Sequence, residues 1–302
     1  MARTINIFRG SSGLNTEIDP VRLPFDPRTG IQDLAVAYNV DHDDTGRISR
    51  RKGFAATIRT EDIHSLFCDG GECLFVTGDA LCVLHADYTY TAIRNVTIGA
   101  RMRCVQVDDQ IYYANGHETG RVQNSLSSWW LKGTYVGPDT TRQYSDPPIG
   151  SILEHFNGRI YVVQGKTVWY SEPFNHDAFD LARNYFDFGS NVTMFRAVSG
   201  GIWVSTERNT YFLAGGAPQE FIRTMVANYG AVEGTDDRVV GAKLGSGEMA
   251  GVGIIWTSTK GICFGSADGQ FVNSTESKLS YPYARYGTGL CLGKRYVALL
   301  EP

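Results

Sequence analysis

A strand, turn and strand unit recurs along this chain, and that recurrence limits its fold more than any other feature. Each copy joins two short apolar or aromatic strands through a turn bearing Gly or Asn. The copies are Glu72 to Leu84 (ECLFVTGDALCVL), Gln110 to Val122 (QIYYANGHETGRV), Gly158 to Ser171 (GRIYVVQGKTVWYS), Gly201 to Leu213 (GIWVSTERNTYFL), Val252 to Gly265 (VGIIWTSTKGICFG) and Lys294 to Leu300 (KRYVALL). Successive copies start about 40 to 50 residues apart, the length of one four-stranded propeller blade. One twisted sheet buries neither of its faces alone, whereas five or six set radially cover one another and leave only short edges. The spacing predicts an all-β chain, with a β-propeller of five or six blades over residues 38–302. A β-sandwich or a pair of small β domains is the alternative.

The last copy supplies only about one strand, so an N-terminal strand is expected to close the ring, and the segment Gly46 to Phe54 precedes the first full copy. Tyr38 to Phe54 (YNVDHDDTGRISRRKGF) reads as a hairpin, with Gly46 suited to a positive φ in its turn. Residues 1–37 read as an irregular arm broken by Pro20, Pro24 and Pro27, with a short helix expected around Ile31 to Ala37.

Composition agrees with many short strands: of 302 residues, 34 are Gly, 16 Tyr and 15 Phe, and only 20% are charged. The net charge is -4 with the cations scattered, which argues against a phosphate-gripping face. Met1 to Gly10 lacks the apolar run of a signal peptide, and no stretch approaches the roughly 20 apolar residues of a membrane span. A cytosolic origin then predicts free thiols at Cys68, Cys73, Cys82, Cys104, Cys263 and Cys291, mostly as small core residues.

Signatures of chemistry are weak. Asp41, Asp43, Thr45 and Gly46 open like a calcium loop, but Lys52 stands where the closing Glu is needed, so a polar turn is expected. Cys68 and Cys73 have a spacing that places two thiols across a hairpin turn, yet no second ligand pair follows for zinc, and core packing is expected. His42, His64, His85, His117, His155 and His176 occur singly, and Gly245, Gly247 and Gly251 depart from the dinucleotide fingerprint. No catalytic, metal or cofactor site is assigned. The enzymatic rival is a propeller glycosidase, for which Asp108, Glu154, Glu172 and Glu207 are the candidate carboxylates. In SSWWLKG, Trp129 and Trp130 alternate faces on a strand, so one is expected inside and the other exposed at a subunit interface.

Two stretches resemble tailed-bacteriophage virion proteins of the propeller-like nozzle, hub or DNA-stabilisation type. One is Asn39 to Phe54 (NVDHDDTGRISRRKGF), similar to an N-terminal segment of such proteins that leads into G-x-[IL]-x-x-R-x-G. The other spans Asn157 to Phe221, containing NGRIYVVQGKTVWYSEP, FDLARNYFDFGSNVTMF and GGIWVSTERNTYFLAGGAPQEF, and continues into GAVEG and SADGQFVN. The resemblance implies a structural, non-enzymatic tail component assembled in the host cytoplasm. Its partners would be other tail proteins and further copies of itself, commonly six in a ring, around a channel that retains packaged DNA and passes it at ejection. DNA would be non-specific cargo, and no membrane is implied. Within that picture the arm from Arg9 to Thr29 would reach a neighbour, and Arg47, Arg50, Arg51 and Lys52 would meet acidic groups on a partner. A carbohydrate-binding or carbohydrate-cleaving propeller acting on the host surface is the alternative function.

Overall fold

The computed structural model describes residues 10–43, 45–53, 55–58, 60, 62–69, 71–240, 251–276, 278–279, 284–293 and 295–301. The first nine residues of the expected arm, Asp44, Phe54, Gly245, Gly247 and Lys294 lie outside them.

The chain opens with three strands, β1 (Gly10–Leu14), β2 (Phe25–Asp26) and β3 (Ile31–Leu34), followed by a hairpin of β4 (Val40–His42) and β5 (Ile48–Arg50). Four-stranded antiparallel sheets then succeed one another. The first is β6 (Ile63–Asp69), β7 (Glu72–Thr77), β8 (Ala80–Leu84) and β9 (Tyr90–Asn95); the second is β10 (Arg103–Val107), β11 (Gln110–Ala114), β12 (Thr119–Gln123) and β13 (Leu126–Trp129). The third holds β14 (Ile152–Phe156), β15 (Arg159–Gln164), β16 (Thr167–Tyr170) and β17 (Tyr185–Asp187), and the fourth β18 (Val192–Val198), β19 (Gly201–Thr206), β20 (Thr210–Ala214) and β21 (Ile222–Ala227). The fifth holds β22 (Asp237–Val240), β23 (Val252–Ser258), β24 (Gly261–Gly265) and β25 (Phe271–Asn273). A sixth sheet consists of β26 (Tyr286–Leu292) and β27 (Arg295–Glu301).

Every repeat unit read from the sequence falls on the two middle strands of a sheet, or on β27 in the sixth. The middle strands of the second to fifth sheets are apolar on both sides because each of these sheets has a neighbour on both faces. One buried cluster joins Leu74, Val76 and Leu81 of the first sheet to Ile111, Tyr113 and Val122 of the second. Equivalent clusters join the second sheet to the third, the third to the fourth and the fourth to the fifth. Val239, Ile255 and Phe264 of the fifth sheet carry Cys291 and Tyr296 of the sixth. The first strands lie against one another, β10 against β14 and β14 against β18, so the sheets radiate from a common axis.

The last hairpin approaches the fifth sheet through backbone alone at Gly289, where an added Cβ would stand 1.9 Å from the Thr235 carbonyl oxygen. Its other neighbour is the linker between the first and second sheets: Arg101 donates to the Gly287 carbonyl and to Glu301, both at 2.8 Å. The N-terminal hairpin also meets this sixth sheet, through side chains. Arg295 of β27 donates to Asp41 of β4 at 2.8 Å, while the two hairpins remain separate two-stranded sheets among the described residues.

Two expectations are corrected. No helix forms at Ile31 to Ala37; Ile31–Leu34 is the middle strand of a small sheet, parallel to β1 and antiparallel to β2. Tertiary bonding to Asp33 overrides local preference here. That carboxylate is 4% exposed, accepts from Ser12 and from Asn15 at 2.8 Å, and pairs with Lys278 at 3.1 Å. The described part of the arm is thereby tied to the body, reinforced by Thr16 donating to the Lys278 carbonyl at 2.7 Å. The second correction concerns the thiols. Cys68 and Cys73 form a disulfide, because the β6 and β7 register sets them directly opposite with Cα atoms 4.2 Å apart. Cys82 and Cys263 are buried thiols, as expected of core residues.

Candidate functional site

The first strands bring charge to the axis. Arg196 is the one charged residue of β18 (VTMFRAV), and Glu154 lies beside His155 on β14 (ILEHF). Asp236, just before β22, accepts from Arg196 Nε at 2.5 Å and from Arg103 of β10 at 3.0 Å. Glu154 accepts from Arg238 of β22 at 2.9 Å and lies 3.5 Å from the second guanidinium nitrogen of Arg196. Second, third, fourth and fifth sheets are thus joined by one chain of guanidinium and carboxylate groups in which Glu154 and Asp236 are almost wholly buried.

Burial alone would raise the Asp236 pKa, but the Arg103 and Arg196 guanidinium groups outweigh it and hold the carboxyl far below the usual range. Burial likewise opposes the charge on Arg196, and Asp236 and Glu154 overcome it, keeping that guanidinium firmly protonated. Two carboxylates and three guanidiniums at short range need no further ion and leave no open acceptor for a substrate. Among the described residues, no cluster of three or more His, Cys, Asp or Glu is placed to hold a metal. The calcium-like segment is a turn: Asp43 accepts from the Thr45 and Arg47 amides at 2.9 and 3.0 Å, and Gly46 adopts φ 82°. Asp41 pairs with Arg51 and Arg295.

Three of the four candidate carboxylates have side-chain partners of their own, and Asp108 lies with Glu154 near His155. Glu154 belongs to the axial network; Glu172 accepts from Arg142 at 2.5 Å and Asn184 at 2.8 Å; Glu207 accepts from Asn191 at 3.0 Å; and Asp108 occupies a turn with φ 54°. Next to Glu154, His155 meets His176 edge to face with ring centroids 5.5 Å apart. Burial pushes both imidazole pKa values down, and His155 Nε2 and His176 Nδ1 have no hydrogen-bond partner.

The paired tryptophans divide as the alternation requires. Trp130 is 1% exposed, donates from Nε1 to Asp177 at 2.8 Å, and packs on Tyr112 and Phe179. Trp129 is 55% exposed, with the Arg94 guanidinium 3.7 Å from its ring centre. Arg47, Arg50, Arg51 and Lys52 are all exposed on and after the β4–β5 hairpin; Arg51 already has Asp41 at 3.5 Å. The structure does not bring these basic residues together with the tryptophans, which belong to the second sheet. Sequence reasoning missed Arg103, Arg196, Asp236 and Arg238; a signal was available for Arg196 alone, the one charge in the strand VTMFRAV.

No family model matches the chain, and no curated protein does. Among solved structures, BBS1N in complex with ARL6DN superposes with a TM-score of 0.50 over 84% of this chain and 80% of that one, at 10% identity. The chain has the β-propeller fold. The WD40 domain of Neurospora crassa Pan2 gives a TM-score of 0.43 at 11% identity over 78% of this propeller and 74% of that domain. The N-terminal domain of Nup159 gives 0.43 at 8% identity, covering 79% and 72%. At these identities the likeness concerns the fold only.

Proposed function

We propose that this propeller is a structural component of a tailed-bacteriophage tail, one of several copies bounding the channel through which DNA is retained and then ejected. The observation that carries the structural reading is the contrast between a filled axis and an apolar rim. Ion pairs occupy the convergence of the first strands, whereas the fourth strands, at the outer edges, expose Leu126, Tyr185, Ile222, Met225 and Val272. Apolar side chains on open strand edges suit burial against neighbouring subunits. Because Arg103 and Asp236 meet across the axis, a channel for DNA would lie between copies and not through one propeller. The segments Asn39 to Phe54 and Asn157 to Phe221 supply the tail-specific part of the reading. Ion pairs or amide hydrogen bonds already engage Glu154, Glu172 and Glu207, which weighs against carbohydrate cleavage.

Proteomic analysis of purified particles tests the proposal. A structural tail protein is recovered stoichiometrically with the virion after density-gradient purification and high-salt washing. Recovery only in the host lysate, or a reducing-sugar signal from the purified protein that a carboxylate substitution abolishes, would overturn it.

A further inference from the structure

The sixth sheet has two strands where the other five have four, and one of its faces is exposed among the described residues. Exposure alternates along β27: Arg295, Val297, Leu299 and Glu301 lie on the exposed side, and Tyr296, Ala298 and Leu300 on the other. The register sets Leu290 beside Val297 and Leu292 beside Arg295, so the same side of β26 adds two leucines. Four large apolar residues share that face; Leu290 is 49%, Leu292 53%, Val297 37% and Leu299 72% exposed. No described strand pairs with the outer edge of β27.

The sequence of β27, RYVALLE, is complementary to itself when run antiparallel. With Ala298 opposite its own copy, Val297 falls opposite the second copy's Leu299, and Arg295 opposite the second copy's Glu301. The apolar pairs then repeat on both sides of a two-fold axis, and the outer pairs carry opposite charge, Arg295 and Glu301 exchanging their in-chain contacts to Asp41 and Arg101 for each other. The joined hairpins would make one sheet of four antiparallel strands, the strand number of each of the other five sheets.

We propose that β27 is a self-association edge, and that its occupant is β27 of a second copy of this chain, paired about Ala298. The contact satisfies backbone groups of an open edge, and side-chain matching fixes the register. A seven-residue edge buries little area, so the pairing is a reversible, concentration-dependent one. It is independent of the tail reading: a two-fold contact pairs chains, or joins two rings face to face, and cannot by itself close a ring.

Sedimentation equilibrium of the purified full chain, from about 1 to 200 µM to span weak association, provides the test. The wild type should show a monomer–dimer equilibrium. Leu299→Lys places a cation on an exposed position and should weaken association at least about tenfold, an increment of roughly 1.4 kcal/mol, with an unchanged circular dichroism spectrum. Adding Val297→Glu to it sets Glu against Lys twice across the axis and should restore dimers. Separately, Ala298→Cys should give a covalent dimer on mild oxidation that wild type does not give. A wild type that stays monomeric across the range, or a dimer indifferent to Leu299→Lys, overturns the proposal.

Discussion

Arg103 and Asp236 stand 133 positions apart in sequence and meet at 3.0 Å where the second and fifth sheets converge. Asp236 also accepts from Arg196, so one carboxylate ties together three sheets. Its 3% side-chain exposure makes each of these contacts a desolvated one. Losing one partner of a buried ion pair leaves the others uncompensated, a far larger effect than losing a surface bridge.

Asp236→Asn should therefore destabilise the protein by about 3 to 5 kcal/mol, the range for breaking a buried pair. Denaturant unfolding of the purified variant checks this. Because the folded carboxyl is held well below the unfolded value of about 3.9, the native state binds its proton less readily. The stabilisation is complete above about pH 5 and is lost as pH falls below about 4, and the variant should lack that loss.

An earlier acid step should come from His155 and His176. Burial sets both below the ordinary value of about 6.5, so their contribution is present above that pH and declines as pH falls. Glu154, Asp108 and Asp177 favour protonation, whereas Arg238 and the mutual charge of the two rings oppose it. His155→Phe with His176→Phe should flatten part of the fall in urea midpoint between pH 7 and 5. His64, also depressed by burial, contributes in the same direction.

What the sequence disclosed follows from how many constraints each strand carries. The middle strands, such as Arg159–Gln164 and Gly201–Thr206, are buried on both faces and therefore read as continuous apolar runs that recur with the blade. Outer strands such as Tyr185–Asp187 are short and half exposed, and nothing in their composition separates them from loops. The axial network was not legible, because its bonded partners lie up to 133 positions apart and only the ring brings them together. At Ile31–Leu34 local composition favoured a turn of helix, and buried Asp33 with its three partners decided for a strand. Cys68 and Cys73 were placed correctly across a turn, but their bond depends on directly opposed register, which spacing alone does not give.

The two tryptophans should separate in their effects. Trp130→Ala removes a fully buried ring and one of the two donors to Asp177, costing about 3 to 5 kcal/mol. Trp129→Ala removes an exposed ring and its Arg94 contact, costing at most about 1 kcal/mol. Thermal melts of the two variants, side by side, give the comparison.

The disulfide closes a short loop, so its chain-entropy contribution is at most about 2 kcal/mol. Cys68→Ser with Cys73→Ser should lower the denaturant midpoint accordingly and leave the fold intact. Reductant should shift the wild type to the same midpoint and the variant not at all.

The central claim is a propeller that works through its outer surface, with its own axis closed. A cryo-electron microscopy map of the assembled particle tests it most directly. The account predicts radial six-sheet units arranged as copies around a shared lumen, each with continuous density bridging Arg103, Asp236 and Arg196 at its own axis. An open pore through the individual propeller, or particles in which no such unit appears, would contradict it.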